Sequence, residues 1–287
     1  ISYGKIRASA AQVGNDAAPY LLESVFISGT VNDGQQNSQV NFPLNGVPGF
    51  TQGNIIGNPE IKPEITSSYE VGLEFGLLKN RITFEGTVYS NRSRDQIITV
   101  PIAATSGYTT QTLNAGLITN KGIELLVRGT PVRSKNFSWE FTATFTRNRN
   151  KVVELFPGTE QLGLGGFTGG AMVAKVGQPY GSFFGSSFLR SPDGNIVVDA
   201  TTGYPIIDPE AKIHGNVQPD FLAGLNNSFS YKGFSLSFLF DTRKGGVFYS
   251  RTRSLQEFLG TDPRTLYNDR QPFVVPGSVV IDANGKY

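Results

Sequence analysis

Cysteine is absent from this chain of 287 residues, and methionine, tryptophan and histidine each occur once. No disulfide scaffold, Cys-ligated zinc site or thiol nucleophile can be built, although the absence fixes no compartment. The lone His214 leaves little from which to assemble Ser-His-Asp chemistry or an HExxH zinc site. Charged residues are scarce at 17%, below the roughly 25% of an average soluble domain. A formal net charge of +2 gives no whole-chain case for nucleic acid. No apolar run approaches the roughly 18 residues of a transmembrane helix. The opening Ile1-Ser-Tyr-Gly-Lys-Ile-Arg7 has no charged-then-apolar leader, lacks an initiator Met and starts inside an extended pattern. The chain is therefore expected to be a piece of a longer protein.

Glycine (34), phenylalanine (21) and tyrosine (11) are plentiful, and their arrangement is alternating. Phe137, Trp139, Phe141, Ala143 and Phe145 share one parity, while Ser138, Glu140, Thr142, Thr144 and Thr146 take the other. That is a strand with one apolar and one polar face. The same pattern runs through Val71–Leu77 against Glu70–Gly76 and through Ile82–Val88 against Thr83–Tyr89. It recurs at 123–127 and 234–240; a further row, Phe221, Ala223, Leu225, Phe229 and Tyr231, is broken by Asn227. Helical spacing predicts a single helix near 249–259, from Leu255, Phe258 and Leu259.

The connections alternate too. Short turns at 77–81, 130–136 and 231–233 join pairs of strands, and segments rich in Gly, Pro, Thr and Asn separate the pairs at 30–65, 101–115, 156–179 and 191–219. Short turns on one side and long loops on the other describe an outer-membrane β-barrel. Strands of about ten residues suit a tilted membrane crossing. A β-sandwich is the soluble alternative, with shorter strands and loops.

Several stretches resemble the SusC/RagA family of TonB-dependent outer-membrane transporters. They are Gly57-Asn-Pro-Glu-Ile-Lys-Pro-Glu64, Ser68-Tyr-Glu-Val-Gly-Leu-Glu74, Asn114-Ala-Gly-Leu-Ile-Thr-Asn-Lys-Gly-Ile-Glu124 and Val176-Gly-Gln-Pro-Tyr-Gly-Ser-Phe-Phe-Gly185. Gly215-Asn-Val-Gln-Pro-Asp-Phe-Leu-Ala-Gly224 and Lys244-Gly-Gly246 complete the series, in the family's order. The resemblance implies an all-β fold: an antiparallel transmembrane barrel of about 22 strands around a plug. Roughly ten of those strands are expected here, residues 1–287 being the C-terminal portion of the barrel, with plug and first barrel half absent. It further implies import of glycan fragments or peptides, a SusD-like lipoprotein lid, energy from TonB reached through the missing N-terminal part, and no enzymatic activity. Two other readings stay open: a complete barrel of 8–12 strands serving as an outer-membrane enzyme or adhesin, and a secreted carbohydrate-binding sandwich.

No catalytic, cofactor or metal constellation is present. Asp208 and Glu210 flank Pro209 in a turn; Asp193, Asn195 and Asp199 miss calcium-loop spacing. Gly163–Gly170 lacks the GxGxxG pattern, and the Asn-x-Ser triplets at Asn91, Asn136 and Asn226 fall at or near strands. With the apolar rows toward lipid, Glu70, Glu74, Glu85, Glu124, Arg128 and Glu140 face the lumen or the plug. Tyr108, Phe167, Phe183, Phe184 and Tyr204 lie in loops and are the candidates for stacking on solute or touching the lid.

Cations end three apolar rows. Arg92 and Arg94 extend the row from Ile82; Arg147, Arg149 and Lys151 extend the row from Phe137; Lys244 extends that from Phe234. Ten residues of strand tilted near 45° climb roughly 24 Å, about the height of a barrel's apolar band. Arg92, Arg94, Arg147, Arg149 and Lys151 are thus expected at the outer headgroup level, as a girdle for the phosphates of lipopolysaccharide. Trp139 and Phe137 are expected at the inner interface.

Overall fold

The structure, a computed structural model, describes residues 1–32, 39–167 and 170–281. Seven long strands form its main sheet: β1 (Tyr3–Asn15), β2 (Glu64–Leu77), β3 (Ile82–Arg94), β4 (Leu117–Arg133), β5 (Phe137–Glu154), β6 (Phe221–Tyr231) and β7 (Phe234–Lys244). They pair in chain order, each antiparallel to the last. All are at least as long as the roughly 9–11 residues a tilted membrane strand needs.

The turns at one end are tight. Leu78, Lys79 and Asn80 all take positive φ, and the Arg81 N–H closes onto the Leu78 carbonyl. Ser134 bonds Phe137 through both backbone and hydroxyl. Lys232 (φ 44°) and Gly233 (φ 88°) make a two-residue hairpin loop, whose paired left-handed residues match the twist of the flanking strands. At the opposite end the connections are long. They carry small sheets of their own, among them Ile97–Pro101 with Thr110–Asn114 and Ile55–Ile56.

The main sheet has seven strands rather than roughly ten. The segments 156–179 and 191–219 belong to one excursion between β5 and β6. There the extended residues, Gln161–Phe167, Gly170–Lys175, Ser182–Gly185 and Lys212–Asn216, form a separate four-stranded sheet. The chain accordingly divides into two compact units, one built on the main sheet and one on residues 163–174, 179–220 and 243–287. The second unit contains the expected helix, α1 (Arg251–Phe258), capped by the Ser250 hydroxyl accepting from the Arg253 N–H.

Where the aromatics go separates the barrel from the sandwich. Among the described residues, the buried apolar side chains are Val, Leu, Ile and Ala, and no Phe or Tyr is among them. Phe84 and Phe141 are neither buried nor fully exposed, and Phe234, Leu236, Phe238 and Phe240 are all exposed. A sandwich would pack these rings against a second sheet; here they stay on an open face, as lipid contact requires.

Candidate functional site: the polar concavity of the main sheet

The register decides which residues share a face. Arg7 lies opposite Gly72, and Gly72 opposite Thr87; Glu74 opposes Glu85, Thr87 opposes Glu124, and Glu124 opposes Thr146. Those polar side chains therefore line one face across β1–β5. They enclose a hollow of about 860 Å³, walled by Arg7, Glu70, Glu85, Tyr89, Glu124 and Asn148 among others. One hollow lined by five adjacent strands makes this the concave face.

Two glycines allow side chains to cross the hollow. Arg7 Nη2 donates to Glu85 Oε1 at 2.5 Å and to the Thr87 hydroxyl at 3.1 Å, reaching over β2 to β3. It passes directly above Gly72, where a Cβ would stand 2.5 Å from its Nε. Tyr89 lies over Gly122, where a Cβ would come within 2.3 Å of the ring, and its hydroxyl donates to Asn148 Oδ1 at 3.1 Å. Glycine here supplies the absence of a side chain.

Charge is sorted by face. On β2–β5, Glu64, Glu70, Glu74, Glu85, Glu124 and Glu140 hold concave-face positions in the register, with Arg128 and Arg133. Arg92, Arg94, Lys121, Arg147, Arg149 and Lys151 hold positions on the opposite, outer face, and all six are exposed. Arg128 stands between Thr83 and Thr142, and Glu140 stands opposite Ser228; neither lines the hollow. Arg7 and Lys121 are absent from the sequence-predicted set. Lys5, Arg7 and Ser9 alternate with Ile6, Ala8 and Ala10, and Lys121 shares the parity of Ile123, Leu125 and Val127; each pattern was the available signal.

The outer face is apolar toward the short turns. Phe75 stacks on Phe84 at 4.9 Å and Trp139 on Phe229 at 5.8 Å. Asn227, the break in the β6 row, is buried, and its Oδ1 accepts the Trp139 indole N–H at 3.2 Å. Trp139 and Phe137 occupy the short-turn end of β5.

The predicted loop aromatics do not form one site. Phe183 and Phe184 line a cleft of about 230 Å³ with His214, Phe248 and Tyr249, and a His214 ring nitrogen lies 3.1 Å from the Gly185 carbonyl. Tyr204 is 75% exposed and outside that cleft. Tyr108, in the first unit, follows the helical turn Ala104–Ser106 and donates its N–H to the Ser106 hydroxyl. The Phe167 side chain lies outside the described part of the structure. The acidic turns are structural. Asp199 accepts from the Thr201 and Thr202 N–H groups and the Thr202 hydroxyl, bonds that hold its carboxyl below the usual range, those from Thr202 foremost. Asp208 is held low chiefly by its bond from Lys212 and then by the Glu210 N–H. Among the described residues no group of His, Asp or Glu is placed to hold a metal ion.

Residues 4–287 match the family model described as TonB dependent receptor-like, beta-barrel. TonB-dependent receptor P3 of Formosa agariphila is 27% identical over 278 residues, covering 88% of this chain and 26% of the relative. TonB-dependent receptor SusC of Bacteroides thetaiotaomicron is 28% identical over 195 residues, 63% of this chain and 19% of its own. The chain thus spans about a quarter of the length of the curated relatives it matches. Among solved structures, the RagAB peptide transporter superposes with a TM-score of 0.63 at 24% identity, over 83% of this chain and 26% of that one; this likeness speaks for the fold. With a membrane-facing apolar surface, a polar concavity and the family-model match over residues 4–287, the chain belongs to the TonB-dependent receptor β-barrel family of outer-membrane proteins.

Proposed function

We propose that this chain is the C-terminal part of the barrel wall of a TonB-dependent importer for glycan fragments or peptides, completed by a plug and further strands outside residues 1–287. The observation that supports it is the sorting of carboxylates onto the concave face. Six glutamates on β2–β5 take lumen-side positions, and Arg7 bridges to Glu85 there. A charge held toward lipid costs about 2–4 kcal/mol for Arg or Lys at the midplane. A polar lumen is useful only if something polar fills or passes through it, and the plug and the solute are the two occupants this reading assigns.

A SusD-like lipoprotein closes the outer side in this reading, meeting the long connections and α1, while TonB acts through the N-terminal part. The Phe183–Phe184 cleft supplies rings for stacking on a sugar or an aromatic peptide side chain. The name of the RagAB neighbour refers to peptides and that of SusC to no solute, so both solute classes enter the test. In cells carrying the full-length receptor, uptake of fluorescent oligosaccharides and oligopeptides is measured for wild type and for E70Q/E85Q/E124Q. Several-fold slower uptake of one class, with surface protein unchanged, is expected. Unchanged uptake in the variant, or uptake of neither class by wild type, overturns the reading.

A further inference from the structure

Two of the stretches that carry the family resemblance, 57–64 and 114–124, meet at the long-loop end of the main sheet. β3 and β4 stay paired as far as Arg94 and Leu117. Further out the same two chains pair again, from Ile97 opposite Asn114 to Pro101 opposite Thr110, now in the separate sheet that includes Ile55–Ile56. Between the two ladders the backbone bends. Asp95 on one chain and Gly116 on the other have φ of 55° and 96°, and the Ala115 N–H donates to the Gln96 carbonyl at 2.7 Å. Left-handed backbone on both chains, which Gly and Asp tolerate best, takes the hairpin out of the main-sheet ladder.

Side chains hold the bend. Backbone groups that leave a ladder need other partners, and here Glu64 and Asn114 supply them. The Ile97 N–H donates to Glu64 Oε1 at 2.8 Å, and Asn15 Nδ2 donates to Glu64 Oε2 at 3.2 Å. Asn114 Nδ2 donates to the Asp95 carbonyl at 2.9 Å and to the Lys62 carbonyl at 2.6 Å, while its Oδ1 accepts the Lys62 N–H at 2.6 Å. The Asn114 amide thus exchanges a pair of bonds with Lys62 as a neighbouring strand residue would, and both of its N–H groups are engaged. Lys62 lies between Pro59 and Pro63 in a segment outside any strand, and prolines cannot donate to a ladder. Asn58 adds a further tie, from its Nδ2 to the Thr112 carbonyl at 3.1 Å.

The bend carries Tyr108. This residue is partly exposed in the 102–109 loop at the hairpin tip. There the Ile102 N–H donates to the Thr109 carbonyl, and the Thr109 and Thr110 N–H groups both donate to the Asn54 carbonyl. Asn54 lies on the same 54–62 stretch whose far end Asn114 grips, so base and tip are tied to one segment. The hairpin strands have five residues each. At ~3.4 Å per residue the tip stands about 17 Å from the bend, so a swing of about 10° at the base displaces the tip by about 3 Å.

We infer that Glu64 and Asn114 are positioning residues: they lock the base of the 97–114 hairpin and thereby hold the Tyr108 ring, a stacking surface for solute, in a fixed place on the outer side. The capture role rests on the transport reading proposed above; the lock does not.

The test uses the full-length receptor. N114D sets an acceptor against the Lys62 and Asp95 carbonyls, and E64A removes the acceptor of the Ile97 N–H. E64Q keeps that acceptor, with the Asn15 amide turned over. Hydrogen exchange in mild detergent is followed by mass spectrometry, and the concentration dependence of uptake in cells is measured for fluorescent oligosaccharides and oligopeptides. In N114D and E64A the amides of 97–101 and 110–114 are expected to exchange about tenfold faster, with E64Q, and the amides of β5 in every variant, as in wild type. The solute concentration for half-maximal uptake rises several-fold in N114D, E64A and Y108A at unchanged maximal rate. N114D/Y108A is no worse than Y108A, because both changes act through one ring. Wild-type exchange in both N114D and E64A overturns the lock. Faster exchange with an unchanged half-maximal concentration, an unaffected Y108A, or additive effects in N114D/Y108A overturns the positioning role, since a merely structural bond moves exchange alone. Should N114D fail to assemble, as judged by heat-modifiable mobility, the comparison of E64A with E64Q decides. Uptake of neither class by wild type overturns the transport reading and the capture role with it, while exchange still decides the lock.

Discussion

At the scale of single residues, the concave face depends on what two glycines leave out. Alanine at 72 would place its Cβ 2.5 Å from Arg7 Nε. The guanidinium is the far end of a flexible side chain and gives way more readily than backbone. The expected result of G72A is therefore a displaced Arg7 and a broken bridge to Glu85, with the sheet intact. The bond is charge-assisted, but both partners are more than a third exposed, so solvent screening leaves it a small contribution to stability. Urea titration of the full-length receptor in detergent should show a midpoint loss in G72A equal to that of R7A, and no further loss in the double variant. Additive losses would mean that Gly72 serves something other than the Arg7 crossing. The same logic holds for Gly122 beneath Tyr89.

Among elements, the strands were the legible part. Phe137–Phe145 and Ile82–Val88 declare period two, and the Lys232-Gly233 turn declares its hairpin because only a short left-handed pair closes so tight a loop. The count of long strands was less legible, because residues 161–216 also alternate locally while their pairing is with each other. What sequence could not show was register. The Trp139–Asn227 bond joins residues 88 positions apart, so Asn227 looked like a defect in the β6 row and is instead the acceptor for an indole on a lipid-facing surface. Lys121 shares the parity of Ile123 in the sequence, but only pairing places it opposite Arg149. The Trp139–Asn227 pair gives an element-scale prediction. N227L leaves the indole N–H without that acceptor, costing about 1–3 kcal/mol as an unsatisfied donor. W139F in the N227L background removes the donor as well, and should recover most of the loss. The check is a double-mutant cycle on unfolding in detergent; absence of coupling would mean the bond contributes nothing to joining β5 and β6.

For the whole molecule the decisive feature is that the main sheet is open. Among the described residues β1 has β2 as its only sheet neighbour and β7 has only β6, so each presents a row of backbone N–H and C=O groups along one side. In hydrocarbon those groups find no water, and each left unpaired costs several kcal/mol, about 2–7 by transfer measurements. Over strands of 13 and 11 residues that penalty exceeds the net stability of an ordinary domain, about 5–15 kcal/mol. The apolar outer face adds to the problem in water: Ile6, Phe234 and Leu236 are more than 60% exposed, which favours edge-to-edge association. Closing the sheet on itself with seven strands is not open to it, since bacterial single-chain barrels close with even numbers beginning at about 8. Residues 1–287 expressed alone in an outer membrane are therefore expected to give protease-sensitive, aggregated material without the heat-modifiable mobility of a closed barrel. In the reading proposed above, co-expression with the remaining barrel strands should restore that mobility, because the free sides of β1 and β7 then gain partners. A discrete, heat-modifiable 31 kDa species from residues 1–287 alone would show that the free edges of β1 and β7 satisfy one another, and the chain would then be a small barrel in its own right.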